Sequence, residues 1–346
     1  MPSNTMRSRR PDVAAPRLAT CDGLSEQHAR LRARGVHQRD GDWVVARRRD
    51  IATALALPTM SVAVPGLQDE PAAAAAGQLQ ARMARFTDPP EHTRRRALVE
   101  QLLPDPARLD AAAQQRTTDL LRGCTDVVDV MPLARTVPVL VLARALGVAD
   151  DDLDAVTVAT GQLCDALAPT LAPPSRDSAG DQAARRLTDL LAPVGPWDAE
   201  QVAAAAGLLF QARDATAALI GAAVLTELPG ALGAAARVDA ALRRHAPVQC
   251  TRRVAADDVL LGGVPVPRGA SVWLVLAAAE QGPPALPATF GAGPHACPGV
   301  AHATALVRGV LAALRGEGWR AVPGQPVRYE PRPNLRLPVT VLVEQP

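Results

Sequence analysis

Ten residues near the C-terminus, FGAGPHACPG from Phe290 to Gly299, constrain this chain more than any other stretch. They place one thiol, Cys297, among Gly291, Gly293 and Gly299, immediately ahead of an apolar helical pattern. Glycine tolerates positive φ and close backbone approach, so such a loop can fold tightly beneath a flat ligand and aim its N–H groups at a sulfur. Val300, Ala303, Leu306, Val307, Val310, Leu311 and Leu314 then recur at spacings of three and four, which predicts a helix with one buried face. Pro298 suits the first position of that helix. Cys297 is thus expected at a helix N-terminus, where the dipole and unpaired amides favour the thiolate and hence a metal ligand. The competing reading is a buried free cysteine in a Gly/Pro loop. A zinc or iron–sulfur site would need clustered ligands, and Cys21, Cys124, Cys164 and Cys250 are scattered.

Composition narrows the class. A chain of 346 residues, 48% apolar, can bury a sizeable core, and its abundant Ala favours helices packed from Ala, Leu and Val. Only 2% of residues are aromatic, so Trp43, Trp197, Trp273, Trp319 and Phe290 are expected to anchor packing locally. The net charge of +2 gives no global field to attract nucleic acid or an anionic membrane, which argues against both as partners. Five widely spaced cysteines suit a reducing compartment, and the cytoplasm is expected. No unbroken apolar run reaches the roughly 18 residues of a membrane span. The basic, Pro-containing start lacks the apolar stretch of a signal peptide, so residues 1–20 read as a flexible lead-in and 21–346 as one domain.

Along the chain, a charged helix is expected from Leu24 to Arg34, a short strand at Trp43–Val45, a loop from Pro58 to Pro71 and an Ala-rich helix after it. Asp88, Pro89 and Pro90 break the chain, and a helix starts near Glu91. His92 and Arg96, four apart, would share a face and could grip one anion, while Arg94 and Arg95 read as a solvated basic face. Two helical patterns fill residues 106–149. Residues 151–204 hold a Pro-rich loop and one or two helices. Leu208–Leu228 has the length and apolarity of a helix crossing the core, and it carries Arg213, Asp214, Ala215 and Thr216.

The pattern Phe-Gly-x-Gly-x-His-x-Cys-x-Gly matches the fixed positions of the haem-ligand loop of the cytochrome P-450 family. From about Leu24 to Leu342 the chain resembles a shortened, divergent member of that family's soluble bacterial branch. The resemblance implies a mainly α, triangular haem protein with small β-sheets. It implies haem b (iron protoporphyrin IX) ligated by Cys297, with Phe290, Gly291 and Gly299 shaping the loop and His92, Arg96, Arg253 and His295 donating to two propionates. It implies O2-dependent oxidation of a small organic molecule, a natural-product intermediate, free or tethered to a carrier protein, with electrons from a ferredoxin-type donor. Hydroxylation, desaturation and ring formation all fall within that chemistry.

Departures from the pattern qualify this. The family's acid survives as Asp214, but Ala215 stands where a threonine helps deliver protons, and Thr216 lies about 100° round the helix. Arg213 could hold a substrate carboxylate. Ala240 replaces the Glu expected three residues before Arg243, with Asp239 one position off. Residues 277–290 are too short for the family's meander and lack its Arg, and the lid within 151–204 is expected to be short, leaving an open pocket. Losing most of a buried charge network together is tolerable where losing one member is not. The alternatives are a peroxide-using or non-oxygenating haem-thiolate enzyme, and a catalytically degenerate, haem-binding protein that recruits a partner.

Overall fold

The computed structural model describes residues 14–345 apart from 22, 63–74, 168–178, 227–232 and 280–287. The described helices are α1 (Leu24–Arg34), α2 (Arg48–Ala56), α3 (Ala75–Arg82), α4 (Glu91–Leu102), α5 (Pro106–Leu121), α6 (Met131–Leu146), α7 (Leu153–Leu167), α8 (Ala179–Leu191), α9 (Ala199–Leu225), α10 (Ala234–Arg244) and α11 (Val300–Gly316). The strands are β1 (His37–Arg39), β2 (Asp42–Val45), β3 (Met60–Ser61), β4 (Val127–Asp129), β5 (Thr251–Ala255), β6 (Val259–Leu261), β7 (Val264–Val266), β8 (Ser271–Leu274), β9 (Arg320–Ala321) and β10 (Leu342–Glu344). Helices dominate, as the Ala-rich composition leads one to expect.

The largest sheet has the order β1-β2-β8-β5-β3, with β2 and β8 parallel and the other pairs antiparallel. It brings Arg253, on β5, to the side of the molecule where Asp88 lies: Ser61 on β3 and the Val62 N–H both donate to the Asp88 carboxylate. A second sheet, β4-β10-β9, ties the C-terminus to the middle of the chain, and β6-β7 forms a hairpin.

The long helix α9 is the axis of the fold. It begins nine residues earlier than its apolar pattern suggests, because Asp198 and Gln201 form a capping box: the Asp198 carboxylate accepts from the Glu200 and Gln201 N–H groups, both at 2.9 Å, and Gln201 accepts from the Asp198 N–H at 3.0 Å. Its N-terminal half, Val202–Leu209, packs into one apolar cluster with α3, α6, α7 and α8. Its C-terminal half, Ala217–Val224, packs into another with α5, α6, α10 and α11. Arg213 and Asp214 fall between the two. By length and composition α9 and the stretch Gly293–Gly316 could cross a membrane, but 67% and 44% of their apolar windows are buried inside the protein.

Several local expectations are met closely. α1 has the predicted bounds, α4 starts at Glu91, and β2 contains Trp43–Val45. The predicted buried face of α11 holds from Leu306 to Leu314, while Val300 and Ala303 in its first turn are half-buried. Gly309 lets α11 cross α5 closely, since a Cβ there would lie 2.2 Å from the Asp110 carbonyl oxygen. Within the lead-in, Ala15–Thr20 forms a 3-10 helix with Leu18 and Ala19 fully buried, so apolar burial docks this short stretch. Residues 1–13 lie outside the described residues, as do most of the Pro58–Pro71 loop, the segment 168–178 within the short lid and residues 280–287 of the missing meander.

Candidate functional site

The cysteine loop is built by its backbone. The Cys297 N–H donates to the Phe290 carbonyl at 2.8 Å, closing the loop on itself. Gly291 and Gly293 have φ of +70° and +68°, and a Cβ at Gly293 would sit 2.4 Å from the Leu55 carbonyl oxygen of α2. Only glycine meets both demands there. Gly299 has an ordinary φ of −97°, so its value lies elsewhere: it is the N-cap of α11, and its N–H donates to the Cys297 sulfur. Pro298 precedes that N-cap, so it lies in the turn before the helix rather than at its first position.

Burial pushes the Cys297 thiol up, against the Gly299 N–H and the charges of Arg96 and Arg85. The helix terminus alone therefore does not favour the thiolate, and a metal cation would have to displace the proton. Cys164 and Cys250 are more thoroughly apolar: burial pushes each thiol up to about 12.

His92 and Arg96 converge on this loop. The His92 ring, 4% exposed, stacks on His295 with centroids 4.0 Å apart. Burial, then His295 and Arg96, push the His92 pKa down to about 4, so it acts as a neutral hydrogen-bonding group at neutral pH. His295 Nε2 lies 3.7 Å from the Asp88 carboxylate. Arg96 donates from Nη1 to the Ala296 carbonyl at 2.5 Å and from Nε to Glu100 at 2.7 Å. It therefore braces the residue next to the cysteine.

Arg253 is 8% exposed and donates only to Thr251 Oγ1, at 2.9 Å, and to the Arg252 carbonyl, at 2.8 Å. Among the described residues no carboxylate comes within ion-pair distance of it. Burial, then Arg85, hold its pKa down to about 10, despite Asp88 nearby. A buried guanidinium without a counter-charge is costly, and it fits a site made to receive an anion.

The α9 residues form a different arrangement. Arg213 Nη1 lies 2.8 Å from Asp214 Oδ1 and 3.5 Å from Asp165 of α7. Arg332 reaches Asp214 Oδ2 at 3.6 Å, Asp165 at 3.6 Å and Glu330 at 3.2 Å, and Glu330 also pairs with Arg135 of α6. Burial opposes the Arg213 charge, but Asp214, Cys164 and Asp165 outweigh it and raise its pKa. Arg213 is thus paired with two protein carboxylates, Asp214 and Asp165. Ala215 is half-buried and Thr216 is 3% exposed on a neighbouring face, so the structure supplies no hydroxyl in the register of Ala215.

Two further expectations change. Arg95 binds Glu200 through both carboxylate oxygens, at 2.9 and 3.2 Å, and fastens α4 to the start of α9, so it is no solvated charge. Arg243, half-exposed on α10, pairs with Asp239 at 3.6 Å, so its charge is met largely by solvent. Sequence reasoning missed Arg332, Glu330, Arg135 and Asp165, which carry no local pattern. Trp273 does anchor packing, its Nε1 donating to Asp42 at 3.0 Å.

No family model matches the chain. It is 30% identical over 254 residues to cytochrome P450 BJ-3 of Bradyrhizobium diazoefficiens, covering 60% of this chain and 59% of that protein, so the match spans about three fifths of the relative's length. Among solved structures it is similar to P450BioI, crystallised with a fatty-acid-ligated acyl carrier protein, at TM-score 0.79, 19% identity and coverage of 94% and 99% of the two chains. CalO2 gives TM-score 0.81 at 21% identity, covering 94% and 96%. Substrate-free CYP109E1 from Bacillus megaterium gives 0.76 at 17%, covering 93% and 98%. The structural likenesses show that this chain has the cytochrome P450 fold, and in sequence it is similar to a cytochrome P450 over about three fifths of its length.

Proposed function

We propose that the chain is a haem-thiolate oxidoreductase of a small organic molecule, with Cys297 as the residue that would supply the thiolate. The observation that carries this reading is the closed Phe290–Gly299 loop, which presents one sulfur to a glycine N–H with the Arg96 charge nearby. Such a donor set suits an iron porphyrin, whose metal takes the thiolate and whose carboxylates take the cations. Haem b is the form expected. When bound, that group supplies the redox chemistry of oxygen activation, with the thiolate donating electron density.

The chain's own residues then have defined tasks. Cys297 gives up its proton and binds through Sγ, and Arg96 and the Gly299 N–H fix the loop that carries it. His92 would donate a ring N–H as a neutral partner, with His295 packed beside it. Asp214 is the acid available on α9. Its Oδ1 is tightly held by Arg213, whereas Oδ2 has only the longer Arg332 contact, so Oδ2 is the atom that can take up and pass a proton. With Ala215 beside it, water or a substrate hydroxyl must complete the route.

Substrate, electron donor and location follow from family likeness alone: a natural-product intermediate, a ferredoxin-type donor and the cytoplasm. A carrier-tethered substrate is supported by the acyl carrier protein in the P450BioI structure. The clamped Asp214 and the missing hydroxyl favour a second reading, in which peroxide, or no oxidant at all, replaces O2 and reductase.

The test is oxygen uptake and peroxide release by the purified protein, supplied with a ferredoxin-type donor. Oxygen uptake that depends on the donor supports the first reading, and product formed without air or reductant supports the second. Ala215→Thr should lower peroxide release per electron several-fold, on the order of the 1.4 kcal/mol that a factor of ten represents. Unchanged peroxide yield contradicts the role given to position 215.

A further inference from the structure

The C-terminal end of α9 forms one wall of a cavity of about 480 Å³, a size within the range of small-molecule sites. Leu225 lines it from α9, and Val322 and Val327 line it from the segment that follows β9. No residue of the Phe290–Gly299 loop takes part. Leu225 lies eleven residues beyond Asp214 on α9, about 16 Å further along the helix.

The charge of this cavity has one sign. Arg237, His245, Arg320 and Arg336 line it, and no Asp or Glu among the described residues does. The whole chain carries 37 basic and 35 acidic residues, so its composition alone would not give such a wall. Arg320 stands at the mouth, 61% exposed along its side chain, and reaches Glu344 at 3.3 Å. Arg237 and Arg336 have no carboxylate within ion-pair distance among the described residues. Arg237 donates from Nη1 to the Thr226 carbonyl at 3.3 Å. Arg336 donates from Nη1 to the Ala19 and Cys21 carbonyls, at 2.9 and 3.2 Å, and its guanidinium lies 3.7 Å from the Tyr329 ring centre. Carbonyl oxygens and a ring face hold these groups in place without neutralising them. A concave surface focuses the remaining positive field, and guanidinium forks match the oxygens of a carboxylate or phosphate.

We propose that this cavity binds an amphiphilic organic anion, with a carboxylate or phosphate head held by Arg237 and Arg336 and an apolar tail lying against Leu225, Val322 and Val327. The site is separate from the cysteine loop, and the proposal stands or falls independently of the haem reading.

The test is calorimetric titration of the purified protein with octyl phosphate, octanoate and inorganic phosphate. At least one octyl compound should bind more than about tenfold more tightly than inorganic phosphate, which has no tail to bury, and the tighter of the two identifies the head group. For that probe, Arg237→Gln should weaken binding about tenfold and Arg320→Glu at least about threefold. Arg243→Gln, on the same helix as Arg237 but outside the cavity, should leave it unchanged. Binding of neither octyl compound overturns the proposal. So does a probe that binds equally to the parent, Arg237→Gln and Arg320→Glu, because it then sits elsewhere in the protein.

Discussion

The two charged regions of this protein are arranged in opposite ways. Around α9, Arg213, Arg332 and Arg135 meet Asp214, Asp165 and Glu330, three cations against three anions. Around the cysteine loop, Arg96 pairs with Glu100 and His295 lies near Asp88, but Arg253 meets no carboxylate within ion-pair distance among the described residues, although it is as buried as Arg332, at 8% exposure each. A balanced network can hold a fold together by itself. An unbalanced one costs free energy until an anion arrives, so it marks a place kept for a ligand.

The contrast can be broken most forcefully at the matched pair of arginines. Arg332→Met leaves Asp214 with Arg213 and Glu330 with Arg135 but removes the cation that both share with Asp165, and it should cost about 2 kcal/mol of unfolding free energy while leaving haem retention close to that of the parent. Arg253→Met strands no protein carboxylate, so denaturant unfolding should change by less than about 1 kcal/mol while haem is lost markedly faster. If both substitutions behave alike in both assays, the distinction between the regions is wrong.

Acid sharpens the same comparison. The His92 pKa is held at about 4, below the ordinary 6.5, so the unfolded chain takes up a proton that the folded site resists. Folded stability should therefore fall as pH drops from about 6.5 toward 4, with buried His28, also near 4, adding to the loss. Glu200, held below the usual carboxylate range by Arg95 and Arg94 in spite of burial, contributes stability that is lost at still lower pH. His92→Gln should flatten the upper part of this decline in a pH series of urea melts. An unchanged slope would place the sensitivity elsewhere.

The smallest effect belongs at the surface. Asp239 and Arg243 are 66% and 50% exposed along their side chains, so Asp239→Ala should shift stability by no more than about 0.5 kcal/mol in a urea melt. A larger loss would mean that Arg243 supports the interior after all.

What was legible in the sequence follows the range of each interaction. The Cys297 loop could be read because its requirements are local: Gly293 answers a positive φ and the nearby Leu55 carbonyl, and Cys297 closes onto Phe290 seven residues back. The bounds of α1 and α4 were likewise set by neighbouring residues. The network at Asp214 could not be read, because Asp165, Arg332 and Arg135 reach it from distant parts of the chain and none lies in a periodic or motif context. Arg95 was misjudged for the same reason, since Glu200 lies 105 residues away. The burial that pushes the Cys297 thiol up could not be read either, because burial is a property of the assembled fold.

The central claim is that Cys297 sits in a pocket charged to hold an iron porphyrin by its thiolate. The direct measurement is the absorption spectrum of the reduced, CO-treated protein beside Cys297→Ser. A red-shifted Soret band in the parent that is absent from Cys297→Ser is the predicted result. A protein that takes up no haem, or whose band is the same in both, would contradict it.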